Sequence, residues 1–141
     1  MSRSGYTELD DTWAAYMWRG RVAFAIRGKR GQRLLREMIE ALDAMREKAL
    51  VSGVLVEPGT DNCCAMGAVL LKRGTPEPWN LEGDNGAIAN AVGVPECLVQ
   101  EIEYENDEGG WRKETPEQRW IRMRTWAARH LLAMESAHEG D

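Results

Sequence analysis

The chain has 141 residues, enough for one domain with a buried core but too few for two. Its composition, 43% hydrophobic and 29% charged, excludes a disordered polymer. No apolar run approaches the roughly 18 residues that a membrane span needs, and no secretion signal precedes the first charges. We expect one cytoplasmic domain over residues 1–141, with flexible ends at 1–8 and 136–141 and no membrane partner.

The net charge of −5 conceals a segregation of charge along the chain. Residues 19–36 carry seven basic side chains and no acid, whereas residues 96–117 carry eight acids against two bases. Such a division marks either partner surfaces or two segments that pack together and neutralise each other. Both interpretations stay open at this stage.

Hydrophobic periodicity predicts a mainly α fold, a single compact domain of about five to six helices. Apolar residues recur at spacings of three and four from Trp13 to Phe24, which is typical of a helix face. Gly28 and Gly31 indicate a break or turn, and residues 34–45 continue with a second helix of the same period.

The middle of the chain predicts the only extended structure, at most a short β-hairpin or single extended segment. Residues 54–56 are short and β-branched, and Pro58-Gly59 closes them. A third helix is expected from Cys63 to Leu70, with Asp61 or Asn62 as its cap.

Three further helices are predicted after a loop at residues 75–83. The first runs from Asp84 to Val92 and ends at Gly93. The second opens with Pro95 at its first helical position. The third begins at Thr115, whose hydroxyl and the side chain of Gln118 form a capping box.

The aromatic residues are skewed toward six tryptophans and three tyrosines, with one phenylalanine. Rings of this size mostly pack in cores, and we expect that for most of them. The alternative is that some reach the surface, where tryptophan and tyrosine favour binding faces.

The turn around residues 27–36 is the best candidate for a contact with an anion or a partner. Glycines allow close backbone approach, and the start of the next helix offers free N–H groups. The pattern is not a Walker loop, and the low pI of 5.2 argues against a general nucleic-acid footprint, although a helix–turn–helix remains an alternative. Solvated charges that aid solubility are the competing interpretation. The candidate residues are Arg27, Lys29, Arg30, Arg33 and Arg36.

A second candidate is an acidic surface late in the chain. The EF-hand pattern of calcium loops is not met, so the functional interpretation is a nucleic-acid mimic that presents carboxylates to a basic partner. The competing interpretation is the solvated face of an amphipathic helix. The residues are Glu101, Glu103, Glu105, Asp107 and Glu108.

The sequence favours a protein without metal, cofactor or catalytic residues. Zinc would need Cys63, Cys64 and Cys97 with His130 or an acid, but no C-x-x-C pair exists. Buried cysteines that act as small apolar residues explain the pattern better. No nucleophile elbow is present, so an enzyme is disfavoured, and hydrolysis by carboxylates stays open.

Several short motifs resemble a group of small uncharacterised proteins from tailed phages and prophages. The resemblance lies in Cys63-Cys64-x-x-Gly67, in the segment Tyr104-Glu105-Asn106-Asp107-Glu108, and in Trp18-Arg19-Gly20 with residues 25–32. It implies no activity and carries no functional residue. It implies provenance, a phage accessory protein acting in the host cell.

We therefore expect a binding protein whose partner is a host protein or its complex with nucleic acid, such as an inhibitor of a host defence system. The alternative is a helical domain that binds nucleotides or nucleic acid through residues 27–36. Association with a second copy stays open, because exposed tryptophans could equally face one.

Overall fold

The structure is a computed structural model that describes residues 3–5 and 12–132. The described residues form six α-helices and one short 3-10 helix, which confirms the predicted mainly α class. The predicted flexible end at 136–141 and most of 1–8 lie outside the described residues. The helices are α1 (Thr12–Arg27), α2 (Lys29–Ala44), α3 (Ala65–Lys72), the 3-10 helix (Pro78–Leu81), α4 (Asn85–Val92), α5 (Glu96–Glu108) and α6 (Pro116–Arg129).

Helices α2 and α5 organise the core. α2 packs against α1, α3 and α6, and α5 packs against α1, α3 and α4. Leu35, Met38 and Leu42 of α2 are completely buried, as are Leu98 and Ile102 of α5. No described helix is long and apolar enough to cross a membrane.

The junction of α1 and α2 depends on glycine. α1 ends at Arg27, and Gly28 caps α2 in an extended conformation, so the predicted break is confirmed there. Gly31 instead lies inside α2 and is buried. A Cβ at Gly31 would lie 1.9 Å from the carbonyl oxygen of Ala25, so only glycine lets the two helices approach this closely.

The extended segment forms one isolated bridge between Val56 and Cys63, with no longer strand among the described residues. The prediction that Cys63 begins α3 is wrong, because its backbone pairs with the extended segment. The cap is Cys64 rather than Asp61 or Asn62, and its thiol accepts a 3.4 Å hydrogen bond from the N–H of Gly67.

The remaining helix ends follow the sequence closely. Asp84 caps α4 by accepting from the N–H of Ala87, and Gly93 ends that helix in the left-handed conformation. Pro95 is the N-cap of α5 rather than its first helical residue. Both hydrogen bonds of the capping box at Thr115 are present at the start of α6.

Candidate interaction surface

Helix α1 carries a stripe of large apolar side chains on its solvent side. Successive residues of a helix are 100° apart, so Trp13, Gly20 and Phe24 point within about 40° of one another. Phe24 is 75% exposed and Trp13 is 67% exposed. Tyr16 and Met17, also exposed, lie on either side of this line. We call these five residues the α1 stripe.

The stripe faces away from the protein interior, because α1 has a second apolar face. Val22, Ala25 and Ile26 point roughly opposite to the stripe and are buried against the core. The helix is therefore apolar on two sides, and within residues 3–5 and 12–132 only one of them is buried. Most of the described aromatic side chains are buried or half-buried, as expected, and the exceptions are Trp13, Tyr16, Phe24 and Trp111.

A shallow groove of about 760 Å³ runs beside the stripe. Phe24, Met17 and Tyr16 form one wall, and Pro95 and Cys97 at the start of α5 form part of the other. The rings of Trp13 and Tyr16 stack with their centroids 6.0 Å apart, which stiffens one end. Side chains held this way lose little freedom on binding.

Basic residues border the stripe. Arg19 and Arg21 project on its two flanks and line the groove, and the line of Trp13, Gly20 and Phe24 continues toward Arg27. All of the candidate residues in the 27–36 turn are exposed. Among the described residues, none of the seven basic side chains from 19 to 36 forms an ion pair.

The acidic segment is engaged elsewhere, and one member is not on the surface. The placement of Glu103 on an acidic surface is wrong, because its side chain is 1% exposed and lies 3.2 Å from the guanidinium of Arg3. Asp107 is also largely covered and pairs with Arg3. Glu105 lies 4.0 Å from Arg122 of α6. Glu108 is exposed and Glu101 is partly exposed.

Glu103, Glu105 and Asp107 of α5 therefore pair with cations outside the basic stretch. An electrostatic clamp does exist within the domain, but its cations are Arg3 and Arg122 rather than residues 19–36. Arg3 is part of the segment predicted to be a loose lead-in, whereas residues 3–5 are packed on α5 and Ser4 is fully buried. In the sequence, Arg3 is a single positive charge among neutral residues, so no pattern predicted that it would pair with the acids of α5.

The two motifs of the phage resemblance meet in space. The side-chain oxygen of Asn106 accepts a 3.1 Å hydrogen bond from the N–H of Ala65 at the start of α3, and its amide donates to the carbonyl of Val51. A Cβ at Gly67 would lie 2.0 Å from the carbonyl oxygen of Leu55. Cys64, Gly67 and Asn106 therefore join α3, α5 and the extended segment, which is a structural role.

The cysteines have the properties of packing residues. Burial raises the pKa of Cys63 to about 12, and burial also raises the pKa values of Cys64 and Cys97. Thiols in this state are poor nucleophiles at neutral pH. Within 3–5 and 12–132, no three histidine, cysteine or acidic side chains are grouped so that they could hold a metal ion.

Comparison of the chain with protein-family models, with curated proteins and with solved structures finds no match in any of the three.

Proposed function

We propose that this protein is a binding module that docks another protein through the α1 stripe. The single observation that carries the proposal is the exposure of Trp13, Tyr16, Met17 and Phe24 on one continuous helix face. Contiguous exposed apolar surface of this kind typically marks an interaction site, and aromatic residues dominate the binding energy of interfaces.

The partner that fits this surface is a protein with an apolar helix face bordered by acidic residues. The exposed side of α1 offers apolar ridges with a notch at Gly20, where a Cβ would meet nothing within 4 Å. Arg19 and Arg21 stand on its flanks without an ion pair to any other described residue. Acidic side chains beside the partner's apolar face would complement this border.

A second copy of the chain is a weaker fit for the same surface. α1 contains no acidic residue, so two copies that meet symmetrically through their stripes would bring Arg19 and Arg21 near the same cations. Like charges across an interface disfavour association. We therefore infer a partner other than a second copy.

Nucleic acid is the alternative occupant, and the exposed arginines and lysine of the 27–36 turn favour it. Aromatic rings and cations side by side are also how proteins bind single strands. We favour a protein because the stripe is a continuous apolar face with its cations at the border, and because the whole chain is acidic.

The finer assignment, a phage accessory protein that inhibits a host defence system in the host cytoplasm, rests on the resemblance of the short motifs. The engagement of Glu103 and Asp107 by Arg3 disfavours nucleic-acid mimicry as the means of inhibition.

The test combines capture from host lysate with rebuilding of the complex from purified proteins. We expect one captured protein to bind the wild-type chain and to lose at least tenfold in affinity with Phe24→Ser. Neutralisation of both flanks, Arg19→Gln with Arg21→Gln, should weaken binding similarly and abolish most of its salt dependence. Calorimetry at two salt concentrations measures both effects.

Ile121→Ser is the matched control, because Ile121 is also a large exposed apolar residue, 59% exposed, but lies on α6. This variant should bind as the wild type does. Loss of binding with Ile121→Ser and not with Phe24→Ser would overturn the proposal. Anisotropy of a labelled 20-nucleotide single strand tests the alternative: tight binding that Arg30→Glu with Arg33→Glu abolishes would favour nucleic acid instead.

A further inference from the structure

Residues 3–5 lie on α4 and α5 in the manner of a bound peptide. The amide of Asn85 donates to the carbonyl of Arg3 over 3.3 Å, and the amide of Gln100 donates to the carbonyl of Ser4 over 3.0 Å. The two side-chain amides therefore hold successive backbone carbonyls of the turn that residues 3 and 4 form. The segment is thus held by its backbone as well as by its side chains.

The side chain of Arg3 supplies the specific part of this contact. Its Nε and Nη2 donate to the two oxygens of Asp107 over 2.6 and 3.0 Å, and its Nη1 donates to Glu103 over 3.2 Å. Glu82 adds a third carboxylate at 4.0 Å. Two parallel hydrogen bonds to one carboxylate suit the planar guanidinium and cannot be made by lysine.

The pocket is built to hold more than Arg3 uses. Glu103 is 1% exposed, and its Oε1 is buried with no hydrogen-bond partner among the described residues. Burial raises the pKa of Glu103 to about 7, but Asp107 and Glu82 still set two carboxylates against one cation, so the pocket keeps an excess of negative charge. A group needed only to anchor the chain would not require an unused buried acceptor, which costs stability.

The two residues after Arg3 define the rest of the specificity. Ser4 is completely buried, so only a small side chain fits there. Gly5 has a φ of +82°, a backbone conformation that other residues adopt at a cost, and it lies against the amide of Gln100. The groove therefore selects arginine, then a small residue, then glycine.

We propose that this groove is a binding site for an arginine-containing peptide of that pattern from another protein, and that residues 3–5 occupy it in cis as a competing ligand. The site is separate from the α1 stripe, because it uses the later part of α5, the start of α4 and Glu82. Binding of the external peptide displaces residues 3–5, since one pocket holds one guanidinium. The proposal does not depend on the function proposed for the stripe.

The test uses the full chain with Arg3→Ala, which empties the pocket. The probe is a fluorescent hexapeptide with the sequence of residues 1–6, Met-Ser-Arg-Ser-Gly-Tyr, followed by anisotropy. We expect the variant to bind this peptide about tenfold more tightly than the wild type does, because a tethered segment competes at an effective concentration near millimolar. Should Arg3→Ala fail to fold, Arg3→Lys takes its place, because lysine cannot form the paired hydrogen bonds.

Peptide and protein controls separate recognition from general charge attraction. A peptide with citrulline in place of arginine keeps the shape and loses the charge, and we expect no binding. Asp107→Asn in the Arg3→Ala background should reduce binding at least tenfold, whereas Asp61→Asn, an exposed acid outside the groove, should leave it unchanged. Equal binding of the citrulline peptide, equal binding by Asp107→Asn, or no binding by a folded Arg3 variant would each overturn the proposal.

Sedimentation of the wild-type chain distinguishes a foreign peptide from the same segment of a second copy. A monomer that binds the added peptide supports the foreign source. A dimer that Asp107→Asn dissolves would overturn that source and assign the peptide to a second copy.

Discussion

Arg3 and Glu103 show how single residues control the polar interior of this domain. A buried guanidinium is tolerated because Asp107 and Glu103 neutralise it and accept its hydrogen bonds. The same burial acts against Glu103, whose pKa rises to about 7 because desolvation and the nearby Glu82 and Asp107 disfavour its charge, while Arg3 opposes the rise. Asp107, with two hydrogen bonds from Arg3 and one from Gly53, has a lowered pKa instead.

The raised pKa of Glu103 predicts a pH dependence of stability. The folded state binds a proton at Glu103 more tightly than the unfolded state does. The contribution of this proton to the free energy of unfolding is therefore complete below the pKa of the unfolded chain and is lost as pH rises through 7. Glutamine does not titrate, so the stability of Glu103→Gln should not fall over this pH range. We expect its free energy of unfolding, relative to the wild type, to rise by about 3 kcal/mol between pH 4 and pH 8, measured by urea denaturation.

Glu108→Gln is the matched control in the same helix, because Glu108 is exposed. Its difference from the wild type should stay constant over the same pH range. A constant difference for Glu103→Gln as well would show that Glu103 titrates as an ordinary carboxylate.

Asn106 is a buried polar residue whose loss should be costly. Its amide group joins α3, α5 and the extended segment, and Asn106→Ala leaves the N–H of Ala65 and the carbonyl of Val51 without their partner. We expect a loss of about 3 kcal/mol in the free energy of unfolding. Asn90→Ala, at an exposed position of α4, should change it by less than about 0.5 kcal/mol. Equal effects would contradict the assigned role.

At the scale of elements, α1 is unusual in being apolar on opposite sides. Its buried side is short, Val22 with Ala25 and Ile26, and small residues there let the backbone of α1 approach α2. Its other side carries the larger rings. The apolar side that other described residues leave exposed is the basis of the docking surface proposed above.

Two glycines in these helices should respond to alanine in opposite ways. Gly31→Ala places a Cβ 1.9 Å from the carbonyl oxygen of Ala25 and forces α1 and α2 apart, for which we expect a loss of about 3 kcal/mol. Gly20→Ala meets no atom within 4 Å and should stabilise the protein by about 0.5–1 kcal/mol through helix propensity. Thermal denaturation of both variants checks the pair. A gain from Gly31→Ala would contradict the close helix contact.

For the whole molecule, the structure separates residues that hold the fold from residues available for contact. The core is formed by buried faces of all six helices. The rings of the α1 stripe lie outside it, and the basic residues from 19 to 36 form no ion pair with another described residue. Stability and binding should therefore be separable by mutation.

The double variant Tyr16→Ser with Phe24→Ser tests this separation. Both side chains are exposed, so we expect the free energy of unfolding to change by less than about 1 kcal/mol. Trp126→Ala, in which a core ring is removed from α6, should lose about 3–5 kcal/mol. Urea denaturation measures both. A loss above about 2 kcal/mol in the double variant would show that the stripe packs within the protein itself.

The sequence by itself determined the helical class, the break at Gly28, the helix end at Gly93 and the cap at Thr115. These features depend on neighbouring residues alone: hydrophobic period, side chains that accept from nearby N–H groups, and glycine's freedom at positive φ. The predicted cap of α3 was wrong because Cys63 pairs with Val56. That pairing requires the intervening turn to close, which the local preferences of its residues do not determine.

Only the tertiary structure decided which apolar face of α1 is covered and which charges pair. Periodicity shows that α1 has apolar faces, but packing against α2 and α5 selects Val22 and Ile26 for the interior and leaves the rings outside. The segregation of charge was visible in the sequence. The pairing of the charges was not visible, because Arg3 lies about 100 residues from Glu103 and Asp107. Such ion pairs depend on how the chain folds back rather than on spacing along it.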